Sequence, residues 1–188
     1  MTITRRFLLG LATALVIGIP APLVAQDAQL VAQTPSDEWR VSQPARATQR
    51  MGSTEMTIVY NRPTARGREL FGALVPWDSI WNPGADEATR IEVDEDITIE
   101  GETLPSGRYS IWAIPQQEGD WTLIFSSAWD VQHRPYPEGN EVLQMTVPTE
   151  TANHVESLAW YFPAADADSA VLALHWGETV VPISIGRP

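Results

Sequence analysis

Residues 107–126, GRYSIWAIPQQEGDWTLIFS, carry the clearest structural pattern in the chain. Apolar side chains occupy alternate positions on either side of a central polar stretch: Tyr109, Ile111 and Ala113, then Trp121, Leu123 and Phe125. A period of two places alternate side chains on opposite faces of a β-strand. The intervening Glu118-Gly119-Asp120 is typical of a turn. The segment therefore predicts two half-buried strands joined by a turn.

Alternation with the same period recurs along most of the chain after Val41. It is found in the stretches 56–60, 91–93, 97–99 and 158–162. Turn-forming groups such as Pro105-Ser106-Gly107 separate the stretches, and short strands with frequent turns are typical of a β-sandwich. We therefore predict an all-β fold, an antiparallel β-sandwich with short loops. At most one or two short helices are expected, with 68–74 and 150–157 as the candidates.

The first 25 residues have the three-part composition of a secretory signal peptide. Arg5 and Arg6 form a positive start, an apolar run follows as far as Ile19, and Ala25 offers a small residue for the peptidase. The apolar run is short for a membrane span, so an uncleaved anchor is the less favoured alternative. We expect export to the periplasm or the exterior by the Sec or the Tat route, with no stable membrane span after cleavage.

Two further regions follow the signal peptide. Residues 26–40 are polar and contain proline, and we interpret them as a flexible linker. Residues 41–188 carry the alternating pattern and form the predicted β-sandwich domain.

The composition excludes several classes of function. The chain has 12 basic residues, all of them Arg, against 24 acidic residues, and its formal charge is −12. A strongly acidic chain is a poor partner for nucleic acid, whose phosphates are met by basic patches. No Cys is present, and His133, His154 and His175 lack the spacing of a zinc site. We expect no metal, no other cofactor and no nucleic-acid partner.

Five sequence blocks stand in a characteristic order along the predicted domain. They are YNRP at 60–63, RGR at 66–68, FGALVPW at 71–77, WNPGADEAT at 81–89 and LPSGRYSI at 104–111. Together they resemble the bacterial family called domain of unknown function 2911, over roughly residues 41–186. The resemblance implies an exported, mostly β protein and assigns no activity. The chain departs from the usual family pattern at Asn82, where Arg is usual, and at Asp86, where Asn is usual.

The first candidate site is an arginine cluster formed by Arg62, Arg66 and Arg68. Guanidinium groups bind carboxylate, sulfate or phosphate through paired hydrogen bonds, which favours recognition of an anion. The structural alternative is ion pairing with acidic side chains of the same chain. We favour this alternative, because 24 acidic residues make partners easy to find.

The second candidate site combines Asp86 and Glu87 with the aromatic residues Trp77 and Trp81. Such a loop is suited to binding a sugar hydroxyl, to holding Ca²⁺ or to acid–base catalysis. The structural alternative is that the carboxylates cap backbone N–H groups or pair with arginine.

These candidates are expected to form one site. We predict that segments 62–68 and 77–87 meet at one end of the sandwich through ion pairs, because buried charges need partners. The loop 130–140, which contains His133, Arg134 and Tyr136, is a further segment that could cover the same surface.

We therefore interpret the protein as a non-catalytic module of the cell envelope. Its expected partner is a small molecule, a glycan or an envelope protein. The expected binding residues are Arg62, Arg66, Arg68, Trp77, Trp81, Asp86 and Glu87. The alternatives are an envelope hydrolase that uses Asp86 or Glu87 and a purely structural accessory domain.

The signal-peptide interpretation predicts the start of the mature chain. Protein recovered from the exported fraction should begin at about Gln26, because Ala25 fits the small residue that signal peptidase requires. Intact-mass measurement of the exported protein checks this. A membrane-bound protein that retains residues 1–25 would contradict it.

Overall fold

A computed structural model describes residues 41–188, so the predicted signal peptide (1–25) and linker (26–40) lie outside the described residues. Strands and irregular connections make up the described part, and no helix occurs within it. The strands are β1 (Gln43–Met51), β2 (Thr54–Arg62), β3 (Arg90–Val93), β4 (Ile97–Ile99), β5 (Glu102–Leu104), β6 (Gly107–Ile114), β7 (Trp121–Ser126), β8 (Glu141–Val147), β9 (Glu150–Ala165) and β10 (Ser169–Gly186).

The strands form two sheets that pack against each other. One sheet has six strands in the order β1-β2-β3-β6-β7-β8, and the other has four in the order β5-β4-β10-β9. All of the strand pairs are antiparallel. The prediction of an all-β antiparallel sandwich is confirmed.

The stretch 107–126 forms two neighbouring interior strands of the larger sheet, β6 and β7. β6 pairs with β7 so that Ile111 lies opposite Phe125 and Ala113 lies opposite Leu123. All four side chains are fully buried between the sheets. The alternating pattern predicted this face of the two strands because burial on one side of a sheet selects apolar residues at every second position.

The outer face of the same two strands is also buried, which the alternating pattern did not indicate. Trp112 lies opposite Ile124, and both belong to a second, smaller apolar cluster with Ala88. Val131 and Tyr136, from the connection between β7 and β8, pack against this cluster. Because that connection covers the outer face, both strands are buried on two sides.

The two short helices considered from the sequence do not form. The stretch 150–157 belongs to β9, where Thr151 lies opposite Thr179 and Val155 opposite Gly177 of β10. The neighbouring strand supplies the hydrogen bonds, and tertiary pairing overrides a weak helical pattern. The stretch 68–74 is a series of turns. Residues 41–188 therefore contain no helix long and apolar enough to cross a membrane.

The prediction of short loops is wrong for the connection between β2 and β3, which spans residues 63–89. Backbone hydrogen bonds hold it to three other parts of the domain. The Ala65 N–H donates to the Glu156 carbonyl, the Ala88 N–H donates to the Val131 carbonyl, and Trp81 bridges to Ala113. Apart from Arg62, which ends β2, all of the predicted site residues lie in this connection.

Candidate functional site

A cavity of about 820 Å³ opens beside the long connection. It is bounded by residues 41–42 ahead of β1, by residues of the connection 63–89 and of the loop 127–140 between β7 and β8, and by residues of β6 and β10. This volume lies within the range of roughly 300–1,000 Å³ that is usual for small-molecule sites. Arg66, Arg68 and Trp81, three of the predicted site residues, line it.

An aromatic cluster supports one side of the cavity. The Phe71 ring centroid lies 5.9 Å from that of Trp77, 5.9 Å from that of Trp81 and 4.8 Å from that of Trp121. Trp81 also stacks on Trp176, with 6.1 Å between ring centroids and 17° between ring planes. These offset and edge-on arrangements are those that aromatic rings prefer. Trp81 therefore lines the cavity with a ring that is fixed by its stacking on the buried Trp176.

The inner wall of the cavity, formed by Trp81, Asn82, Trp112 and Trp176, has its buried polar side-chain atoms engaged by the protein. Asn82 Nδ2 donates to the Ile111 carbonyl at 2.7 Å, and Asn82 Oδ1 accepts from the Thr89 N–H at 3.0 Å. The indole N–H groups of Trp112 and Trp176 also donate to protein oxygens, at 2.9 and 3.2 Å. The inner wall consequently offers mainly apolar and ring surface to a ligand.

Three exposed arginines, Arg66, Arg68 and Arg134, form what we call the arginine rim of the cavity. Arg68 donates from Nε to the Ala65 carbonyl at 2.9 Å and from a terminal nitrogen to the Thr64 carbonyl at 2.7 Å. Carbonyl oxygens are neutral acceptors, so they fix the guanidinium without cancelling its charge. No carboxylate within residues 41–188 forms an ion pair with a rim arginine.

Glu156 of β9 lies beside the rim, and both of its carboxylate oxygens have protein partners. His154 Nε2 lies 3.0 Å from one carboxylate oxygen, and the Arg66 backbone N–H donates to the other at 2.6 Å. The contact with His154, followed by the Arg66 N–H, lowers the pKa of Glu156, and the charge of Arg68 adds to the effect. Glu156 therefore stays ionised beside the rim, although no described acid lines the cavity.

The expected ion pairs between the two predicted segments are replaced by hydrogen bonds. Arg62 Nε donates to the Leu158 carbonyl at 3.0 Å, and Asn61 Nδ2 donates to a Glu87 carboxylate oxygen at 2.9 Å. Between described residues, no ion pair joins an arginine of 62–68 to Asp86 or Glu87. The sequence reasoning was wrong on this point, because a β9 carbonyl and a buried amide lie closer than the opposite charges do.

The remaining predicted residues lie outside the cavity lining. Arg62, Trp77, Asp86 and Glu87 are not among the residues that bound it. Trp77 packs on Phe71, and Asp86 uses its backbone carbonyl as an acceptor. Their contribution is to hold the connection in place.

His133 joins the loop 127–140 to the connection. Its backbone N–H donates to the Asp86 carbonyl at 2.9 Å, and its Nδ1 lies 2.7 Å from the same oxygen. Arg134 Nε donates to His133 Nε2 at 3.2 Å. These contacts together fit a neutral imidazole with its proton on Nδ1. The imidazole thereby orients Arg134, a rim residue that the sequence placed only in a covering loop.

Tyr136 fixes the same loop to the start of β8. Its ring packs edge-on against Trp112, with 5.0 Å between centroids, and its hydroxyl donates to a Glu141 carboxylate oxygen at 2.6 Å. Burial, together with the bond to Glu141, raises the pKa of Tyr136. The same hydrogen bond lowers the pKa of Glu141 below its ordinary value of 4.5.

No group of three or more His, Asp or Glu side chains is placed to hold a metal ion in the part of the chain that the structure describes. The chemistry available at the cavity is therefore that of guanidinium, imidazole, phenol and indole groups.

The sequence was also compared with known families, curated proteins and solved structures. A family model described as "Protein of unknown function (DUF2911)" matches residues 42–185. The chain belongs to this family. The match spans both sheets and the residues of the cavity except Val41. No curated protein and no solved structure matches the chain significantly.

The position of the Trp77 ring depends on a glycine. Gly72 has φ of +91°, and a Cβ built on it would lie 2.5 Å from Trp77 Nε1. Gly67, in the same connection, has φ of +69° and open space around its built Cβ. Alanine at either position carries backbone strain of about 1–2 kcal/mol. We expect Gly72→Ala to lower the free energy of unfolding by more than Gly67→Ala, as measured by urea denaturation. Equal losses for the two variants would show that Trp77 adjusts at no cost.

The bond between Tyr136 and Glu141 predicts a pH-dependent stability. Since the folded-state pKa of Glu141 is lowered, the bond stabilises the protein above the ordinary pKa of 4.5. The stabilisation is lost as the pH falls through the lowered value. Tyr136→Phe keeps the ring but removes the donor. We expect the difference in Tm between wild type and this variant to be widest near neutral pH and to shrink in acid.

Tyr161→Phe is the matched control, because Tyr161 is exposed and its ring packs beside His175 of β10. Its Tm should stay close to that of the wild type across the same pH range. A Tyr136→Phe difference that stays constant with pH would contradict the linkage.

Proposed function

We propose that this protein is an exported, non-catalytic binding protein whose cavity takes a small anionic molecule. The observation that carries the proposal is the arginine rim. Arg66, Arg68 and Arg134 line one cavity, and no Asp or Glu in residues 41–188 lines it with them. Export is supported by the composition of residues 1–25.

The rim can attract an anion although the chain as a whole carries a formal charge of −12. Charges on a protein surface are screened beyond about 8–10 Å at physiological salt, so nearby groups dominate the field that a bound ligand experiences. Arg68 is held by backbone carbonyls and Arg134 by an imidazole, and these neutral partners leave their positive charge in place. Glu156, whose carboxylate accepts from the Arg66 backbone N–H, is a single negative charge beside three arginines. Guanidinium groups bind carboxylate, sulfate and phosphate oxygens through directed hydrogen bonds.

Binding is better supported than hydrolysis. The hydrolase alternative needs Asp86 and Glu87 at a substrate, but neither residue lines the cavity. Glu87 accepts a hydrogen bond from Asn61, and His133 has both ring nitrogens within hydrogen-bond distance of protein atoms. A general base needs a hydrogen-bond path to the proton that it removes. The cavity as it stands favours holding an anion over transforming one.

Anilinonaphthalene sulfonate provides a direct test, because it is a small fluorescent anion. We expect the wild-type protein to bind it, and the double variant Arg66→Gln/Arg68→Gln to bind it roughly tenfold or more weakly, a change of about 1.4 kcal/mol or more. Fluorescence titration measures both affinities. Added salt should weaken binding to the wild type more than binding to the variant.

Arg187→Gln is the matched control. Arg187 pairs with Asp168 and lies beside Gly52, in the turn at the end of β1 and β2 remote from Arg62. The substitution Arg187→Gln removes one positive charge and leaves the residues that line the cavity unchanged. A loss of affinity as large as that of the double variant, or no binding to the wild type, would contradict the proposed function.

A further inference from the structure

The mouth of the cavity has an apolar side as well as a charged one. Five large apolar side chains are exposed within residues 41–188, and three of them line this cavity. They are Val41, Leu74 and Ile80, with 66%, 42% and 40% of their surface exposed. We call these three the apolar rim. Exposed apolar side chains that gather at one opening mark a binding surface more often than singly scattered ones do.

The inner wall, like the apolar rim, favours an apolar part of a ligand. The buried polar side-chain atoms of Asn82, Trp112 and Trp176 already have protein partners. A polar group of a ligand that reached these atoms would lose water without gaining a hydrogen bond from them, which is unfavourable. An apolar chain or ring would instead cover the indole of Trp81, which is stacked on the buried Trp176.

The positive charge lies at the opening, because Arg66, Arg68 and Arg134 are all exposed. An anionic head group bound there keeps part of its hydration while it meets the guanidinium groups. The buried part of the lining is thus mainly aromatic, whereas its exposed part combines the arginine rim with the apolar rim.

Building on the proposed function, we propose that the ligand is an amphipathic organic anion. One carboxylate, sulfonate or phosphate group binds the arginine rim, and an apolar chain or ring enters the cavity against Trp81, Trp176 and the apolar rim. A small inorganic anion would use the arginines and leave the rest of the roughly 820 Å³ unfilled.

The occupant is a free molecule rather than a lipid in a membrane surface. An anionic bilayer carries a negative surface potential that attracts polybasic segments. This chain has a formal charge of −12 and no Lys, so docking onto such a surface brings like charges together. A single dissolved amphiphile meets only the local field of the rim.

A series of straight-chain carboxylates tests the proposal. Acetate, butanoate, hexanoate and octanoate, each below its micellar concentration, are titrated calorimetrically into the full exported protein. Burial of each methylene adds at most about fourfold in affinity, so we expect a gain of roughly two- to fourfold per methylene. Octan-1-ol, which has the same chain but no charge, should bind at least tenfold more weakly than octanoate.

Variants separate the two ends of the site. Arg66→Gln/Arg68→Gln should lower the affinity for every carboxylate by a similar factor and leave the gain in affinity per methylene unchanged. Leu74→Ser/Ile80→Ser should reduce the gain per methylene and leave acetate nearly unaffected. Val142→Ser, which changes an aliphatic residue of similar exposure outside the cavity lining, is the control and should preserve the whole series.

The outcomes distinguish this inference from the proposed function. If acetate binds as tightly as octanoate, the proposed function stands and the amphipathic ligand is wrong. If octan-1-ol binds as tightly as octanoate, the anionic head group contributes nothing to the affinity. Both the proposed function and the amphipathic ligand are then wrong. Sedimentation with phosphatidylglycerol vesicles that free octanoate does not reverse would identify a membrane surface as the partner and overturn the free ligand.

Discussion

The reciprocal hydrogen bonds between Trp81 and Ala113 are the contact on which the site depends. The Trp81 N–H donates to the Ala113 carbonyl at 2.8 Å, and the Ala113 N–H donates to the Trp81 carbonyl at 2.7 Å. Through them the long connection 63–89 is bound to β6, the central strand that also supplies the core. A connection of this length has little reason to be ordered unless its backbone groups find partners. Once Trp81 is fixed, its ring stacks on Trp176 and the inner wall of the cavity exists.

The second constraint is the fixing of positive groups by neutral partners. Arg68 is held by backbone carbonyls, and Arg134 is held by the imidazole of His133. An ion pair in either place would have fixed the side chain equally well but would have cancelled its charge. The arrangement keeps the guanidinium groups both positioned and positive, in a chain whose acids outnumber its bases by 24 to 12. The loop that carries Arg134 is in turn secured by Tyr136 and Glu141.

Part of the site was visible in the sequence, and part was not. Arg66, Arg68 and Trp81 were predicted as site residues and do line the cavity, whereas Arg62, Asp86 and Glu87 help to hold the surrounding backbone. The reasoning from opposite charges overestimated ion pairing because it could not know that amide and carbonyl partners were nearer. From the sequence, Arg134 belongs only to a loop predicted to cover the surface. Arg134 reaches the cavity because its neighbour His133 contacts Asp86, which lies 47 positions away in the sequence.

The sequence by itself determined the all-β sandwich, since alternation with a period of two and frequent turn residues leave few other ways to bury the apolar side chains. It also determined the chemical character of the segment 62–89, which is rich in arginine and tryptophan. Only the tertiary structure decided that 150–157 is strand, that Trp112 is buried on the outer face, and which arginines share a cavity. The physical reason is that local periodicity reports which side of a strand is buried, whereas the meeting of two loops depends on long-range hydrogen bonds and ring contacts that leave no local pattern.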